Sequence, residues 1–181
     1  DGRFRVVGVG RLVPQKGFDR AVAAFAELAP RFPEWDLWIW GEGTVRAQLE
    51  AMIRSLGLWD RVRLPGVTRE IAGELCRAHA MVVSSHYEGF PNALGEAMAA
   101  GLPAVGFGGV SGIEELIEDG CTGLDIPETG GTPGLVHALG VLMTDAGERA
   151  RMGNRAIDRS KLWSPERIWG LWARTCRDLC A

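Results

Sequence analysis

Short apolar runs alternate with longer amphipathic stretches along most of this chain. Phe4 to Gly10, Asp36 to Trp40, Val62 to Leu64, Ala80 to Ser84, Pro103 to Phe107 and Gly123 to Ile126 read as strands, and Ala80 to Ser84 is rich in β-branched residues. Between them, apolar positions at helical spacing predict helices over Phe18 to Phe32, Val45 to Leu56, a segment reaching Arg77, Asn92 to Ala100, and Ile113 to Glu118. Thr44 suits the N-cap of the second helix and Gly57 its stop. After the last strand, a loop from Pro127 to Pro133 leads to helices over 133–144, 146–160 and 165–179. Strands alternating with helices through short loops predict an α/β fold, an open parallel sheet with helices on both faces.

The stretch Ser85 to Gly101, SHYEGFPNALGEAMAAG, is the most informative. It follows a buried-strand pattern, turns at Gly89-Phe90-Pro91, and opens a helix at Asn92 with Glu88 before it and Glu96 within it. In open α/β sheets ligands bind beyond the carboxyl ends of the strands. A helix N-terminus at that edge offers N–H groups and positive dipole to an anion. Carboxylates only accept hydrogen bonds. Two of them flanking an anion site suit a ligand with phosphates in the middle and hydroxyls at both ends, as in a nucleotide sugar. On their own, the two carboxylates are equally consistent with a solvated loop and a helix-surface charge.

Composition adds bounds. The 181 residues, 46% hydrophobic, are enough for one domain with a sizeable core. A net charge of −3 gives no general attraction to nucleic acid or anionic membrane, so a phosphate site needs a local basic cluster. The first strand supplies one. After Gly8-Val9-Gly10 come Arg11 and then Lys16-Gly17. Arg suits bidentate phosphate contact and Lys is a mobile point charge. The glycines resemble a dinucleotide fingerprint, but Val13 stands at the third glycine position and Pro14-Gln15 delay the helix, which argues against a nicotinamide cofactor. Gly41 and Gly43, after the second strand, let backbone approach a ligand closely.

No apolar run reaches transmembrane length, and the opening DGRFRVVGVG is not a signal peptide; it enters a strand almost at once, as a domain cut from a longer chain would. Cys76, Cys121, Cys176 and Cys180 form no C-x-x-C, and Cys176 and Cys180 share a helix face, so reduced cysteines are expected. His79, His86 and His137 are scattered and outline no metal cluster. Trp163, Trp169 and Trp172 read as core or interdomain packing rather than sugar stacking.

EGFPNALGEAMAAGLPAVGF resembles the E-x7-E segment of the family 4 retaining glycosyltransferases, which have the GT-B fold of two facing Rossmann-like domains. The similarity extends through VGVGRLVPQKGFDRAVAAFAEL, WGEGTVRAQLEAMIRSLGLWDRVRLPGVT and GIEELIEDGCTGLDIP, about residues 4 to 127 in the family's order. It covers the C-terminal, donor-binding half: a Rossmann-like nucleotide-sugar domain over 1–160, with the 161–181 helix crossing back to an N-terminal domain.

The resemblance implies transfer of a sugar from a nucleoside-diphosphate sugar, a UDP-sugar first, to a glycan, lipid or other acceptor held mainly by that N-terminal domain. Arg11 and Lys16 would neutralise the diphosphate together with the amides of Asn92, Ala93 and Leu94. Gly10, Gly41, Gly43 and Val67 would line the nucleotide, Glu96 the ribose and Glu88 the donor sugar. It implies no cofactor and no metal, in keeping with the lack of a D-x-D motif. A cytoplasmic location, with peripheral contact at the inner face of the cytoplasmic membrane through the N-terminal half, goes with it. A nucleotide-sugar binding module without catalysis and a GT-B sugar-nucleotide epimerase are the alternatives.

Overall fold

The structure, a computed structural model, describes residues 2–179. Its centre is a parallel sheet of β1 (Phe4–Val9), β2 (Trp35–Trp40), β3 (Val62–Gly66), β4 (Ala80–Val83), β5 (Ala104–Phe107) and β6 (Gly123–Ile126). The spatial order is β3-β2-β1-β4-β5-β6, and every pairing is parallel. β4 and β5 are buried at every position, as expected for strands covered on both faces.

Helices α1 (Phe18–Leu28), α2 (Arg46–Ser55) and α6 (Gly131–Thr144) pack together. Helices α3 (Ile71–Cys76), α4 (Asn92–Ala99), α5 (Ile113–Leu116) and α7 (Ala146–Ser160) form a second group. Right-handed crossovers put the first group on one face of the sheet and the second on the other, because the chain reverses direction between β3 and β4. Helix α1 buries Phe18, Ala21, Val22, Phe25 and Leu28, one stripe at helical spacing, so Phe25→Ala would cost about 3–5 kcal/mol.

Some boundaries differ from the pattern in the sequence. Helix α1 ends at Leu28 and the chain turns through Ala29 to Phe32 before β2. Thr44 does not cap α2: the N-cap is Val45, without a side-chain bond, whereas Gly57 does take the left-handed conformation past its end (φ +68°). The loop after β6 is a 3₁₀ turn at Glu128–Gly130, and α6 begins at Gly131. The last helix, α8 (Pro165–Leu179), buries none of its residues; Trp169 is 72% and Trp172 62% exposed, so these two are not core. Trp163 does pack partly against the core. Cys180 lies outside the described residues; Cys76, Cys121 and Cys176 are free thiols.

Candidate functional site

In this strand order the topological switch point falls between β1 and β4, where neighbouring connections leave in opposite directions and open a crevice at the carboxyl edge. The loops after β1 and β4 meet there. Beyond Gly10 the chain makes a 3₁₀ turn at Pro14–Lys16 and enters α1 through Gly17, which is left-handed (φ +56°). A Cβ at Gly17 would stand 2.3 Å from the Ser84 carbonyl, so only glycine lets the loop lie against the end of β4.

Hydrogen bonds stitch the two loops. The His86 amide donates to the Gln15 carbonyl (2.8 Å), Gln15 Nε2 to the Tyr87 carbonyl (2.9 Å), and Ser84 Oγ to the Lys16 carbonyl (2.9 Å). Between them Glu88, with only 8% of its side chain exposed, takes Lys16 Nζ at 2.5 Å and Ser85 Oγ at 2.6 Å on the same oxygen, Oε1. Among the described residues Oε2 has no donor, which leaves an acceptor free beside a cation.

Two cavities adjoin along this edge and share Val9, Gly10 and Arg11. One, about 290 Å³, is walled by Lys16, Ser85 and Glu88 on one side and by Pro91 to Leu94 on the other. The other, about 300 Å³ and mostly apolar, is lined by Trp40, Gly41, Val67 and Ile71, with Glu96 at its margin. Arg11 is exposed at their junction and forms no ion pair among the described residues. The sheet therefore brings Gly10, Arg11, Lys16, Gly41, Val67, Glu88, Asn92, Ala93, Leu94 and Glu96 to one crevice.

Two expectations need correction. Gly43 lines neither cavity: a Cβ there would lie 2.2 Å from the Leu12 carbonyl, so the close packing of loop on loop already accounts for the glycine. Nor are all three α4 amides free. Asn92 N–H donates to the Phe90 carbonyl (3.0 Å) and Leu94 N–H to Pro91 (2.8 Å), leaving Ala93 N–H without an acceptor among the described residues. His86 turns away from Glu88 into a separate cavity of about 270 Å³ with Val13, Phe18 and Met52.

Sequence reasoning missed Gln15, Ser85 and Arg20, which build the crevice without marking themselves by motif. Arg20 sits beneath it, donating to the Ser84 carbonyl (2.8 Å) with its guanidinium 4.0 Å from the Phe107 ring.

A sequence profile described as "Glycosyl transferases group 1" matches residues 1–159. The chain belongs to the group 1 glycosyl transferases. Among relatives of this family, it is 36% identical over 170 residues to an exopolysaccharide phosphotransferase of Streptomyces coelicolor, covering 93% of this chain and 18% of that protein. It is 34% identical over 158 residues to an alpha-D-kanosaminyltransferase of Streptomyces kanamyceticus, covering 86% and 40%. Of solved structures, a mutant of S. aureus TarM in complex with Fondaparinux, alpha-GlcNAc-glycerol and UDP superposes with a TM-score of 0.89 at 25% identity, covering 96% of this chain and 35% of that one. A sucrose-phosphate synthase from Thermosynechococcus elongatus gives 0.88 at 27%, covering 98% and 45%. The chain thus spans less than half the length of each of these proteins. The glycosyltransferase neighbours share its Rossmann-like parallel sheet and have the GT-B fold.

Proposed function

We propose that this chain is the donor-binding half of a retaining, metal-independent glycosyltransferase that takes its sugar from a nucleoside-diphosphate sugar, a UDP-sugar first. The observation that carries the reading is the cluster Lys16–Glu88–Ser85 beside an apolar cavity bounded by Glu96. Titles of similar structures name UDP as a ligand of TarM, and UDP and glucose as ligands of an Anabaena protein, HepE, that is 25% identical.

Each role follows from chemistry. The base lies in the apolar cavity against Trp40 and Val67. Glu96, exposed and without a partner among the described residues, accepts the ribose hydroxyls. Breaking the glycosidic bond develops negative charge on the leaving diphosphate. Arg11, Lys16 and the Ala93 amide neutralise it, in the way preorganised donors typically contribute about 10²–10³ in rate each. These fixed cations do the work a metal ion would otherwise do. Glu88 Oε2 holds a hydroxyl of the donor sugar, a positioning role; the acceptor attacks from the face the diphosphate leaves, and the leaving phosphate takes the acceptor proton, which retains configuration.

The acceptor, a glycan or lipid, sits on an N-terminal domain of the longer protein, which fits the share of each relative this chain spans. The C-terminal segment that begins at residue 161 is a separate element that crosses to that domain. The apolar side chains of Trp169, Trp172 and Leu179, exposed here, suit such a partner. Peripheral contact with the inner face of the cytoplasmic membrane would come through the same domain; among the described residues no helix is long and apolar enough to cross a membrane.

The test is a product assay on the full-length protein with a panel of nucleoside-diphosphate sugars and glycan or lipid acceptors. Transfer with retained anomeric configuration in the presence of a chelator is the expected result. Binding of donor without turnover would favour a binding module, and isomerisation of the donor sugar an epimerase.

A further inference from the structure

We propose that Arg20 is a positioning residue for Glu88, and through it for the donor sugar. This rests on the reading of Glu88 given above.

Arg20 occupies the first turn of α1, where its residue type alone reads as an ordinary surface charge. Its side chain instead runs under the β4–α4 loop. One terminal nitrogen donates to the Ser84 carbonyl at 2.8 Å and lies 3.4 Å from that of Ser85, while the guanidinium stacks over Phe107, a fully buried ring at the end of β5. Ser84 and Ser85 are themselves buried, and they are the last residues before the loop that carries Glu88. The Ser85 hydroxyl then donates to Glu88 Oε1 at 2.6 Å. From Arg20 to the carboxylate there are two hydrogen bonds and one residue of backbone.

The arrangement is not what stability alone would select. Burial lowers the Arg20 pKa from its ordinary value, against the raising influence of Asp19 and Glu128, so keeping this group charged beneath the sheet edge is unfavourable. Its Nε is buried and has no acceptor, a further cost. An apolar side chain of the same reach would cover Phe107 without either penalty. What a guanidinium supplies is a flat cation that stacks on Phe107 while one of its terminal nitrogens reaches two successive carbonyls. Those carbonyls need holding. Ser84 lies where β4 ends, its carbonyl is pressed against Gly17, and Glu88 must present one oxygen to Lys16 and the other to the crevice.

The test compares Arg20→Met, which keeps the stem over Phe107 and removes the donors, with Arg20→Lys, which keeps a charge but has no planar group to stack on Phe107. Calorimetry on the chain gives affinities for a nucleoside monophosphate, a nucleoside diphosphate and its sugar conjugate. Arg20→Met should leave the monophosphate unchanged and lower the conjugate's advantage over the diphosphate by about tenfold, the scale of losing one hydrogen bond from a charged group. Arg20→Lys should fall between.

In a cycle with Glu88→Gln, the double variant should lose no more of that advantage than Glu88→Gln alone, because both act through one carboxylate. Equal weakening of all three ligands, or additive losses in the cycle, would make Arg20 merely structural and overturn the proposal. If Arg20→Met does not fold, an unchanged advantage in Arg20→Lys overturns it equally. A wild-type chain that binds diphosphate but shows no advantage for the conjugate would instead refute the role of Glu88 itself, and one that binds no nucleotide would refute the donor site.

Discussion

Lys16 and Glu88 are 72 positions apart in sequence, yet Lys16 Nζ lies 2.5 Å from Glu88 Oε1 at the one place where the β1 and β4 loops meet. The pair joins a phosphate-seeking cation to a hydroxyl-seeking carboxylate. On the proposed reading, a diphosphate competes with Glu88 Oε1 for Lys16, while Oε2 takes a hydroxyl of the sugar. Glu88→Gln removes that competition. Free diphosphate should bind as well as before or slightly better, while the preference for the sugar conjugate falls at least about tenfold, the scale of one hydrogen bond to a charged group. Parallel calorimetric titrations with both ligands check this, and a matching loss for both would count against it.

Arg11→Ala or Lys16→Ala should weaken nucleoside diphosphates by about 1.5–3 kcal/mol and leave the free nucleoside almost untouched, because the partners lost are phosphate oxygens. Competition binding with nucleoside, monophosphate and diphosphate separates these cases. A uniform loss across the series would place both side chains away from phosphate.

Glu96→Gln should erase a preference for ribo- over 2′-deoxyribonucleotides. Glu96 is exposed at the margin of the apolar cavity and has no partner among the described residues to account for it. An unchanged ratio of the two affinities would identify it as a solvated helix charge.

Two glycine substitutions test the loop packing. A Cβ on Gly41 would stand 1.9 Å from the Gly10 carbonyl, whereas one on Gly57 meets nothing within 4 Å. Gly57→Ala should cost only the left-handed backbone penalty, about 1–2 kcal/mol. Gly41→Ala must displace the β1 loop and should cost more than about 3 kcal/mol and disturb nucleotide binding as well. Denaturant unfolding of the two variants gives the comparison.

Stability should also fall with acid through His79. Its Nδ1 accepts the Arg5 amide (3.1 Å) and its ring packs edge-on to Phe4 and Trp35. Burial lowers its pKa below the ordinary 6.5, with Arg149 and Arg5 adding to the effect. The unfolded chain therefore binds a proton first as pH drops, so this contribution is full above about 6.5 and is lost between there and the lowered folded value. Unfolding measured from pH 7.5 to 5 should show the decline, and His79→Gln should flatten it.

The hydrophobic pattern carries the fold well because β4 and β5 are buried at every position, the other strands keep an apolar majority, and helices such as α1 bury one stripe. Six strands and their parallel direction follow from it, with ends that differ by one or two residues at β1, β3 and β4. What it does not carry is contact across the sheet edge. Nothing in the local sequence says that Lys16 reaches Glu88, that Arg20 turns under β4, or that Gly43 lies against the Leu12 carbonyl. Thr44 has the composition of a cap but lies one residue too early, since the chain is still turning at Val45. The Trp169 and Trp172 pattern marks an apolar helix face but not whether anything in this chain covers it.

The most direct test of the donor-site reading is calorimetric titration of the 181-residue chain with UDP and with a UDP-sugar. One binding site per chain, weakened by Lys16→Ala and tighter for the conjugate than for the diphosphate only while Glu88 is intact, is the predicted result. Binding that survives Lys16→Ala unchanged, a preference for the conjugate that survives Glu88→Gln, or no binding of any nucleoside diphosphate or its conjugate would contradict it.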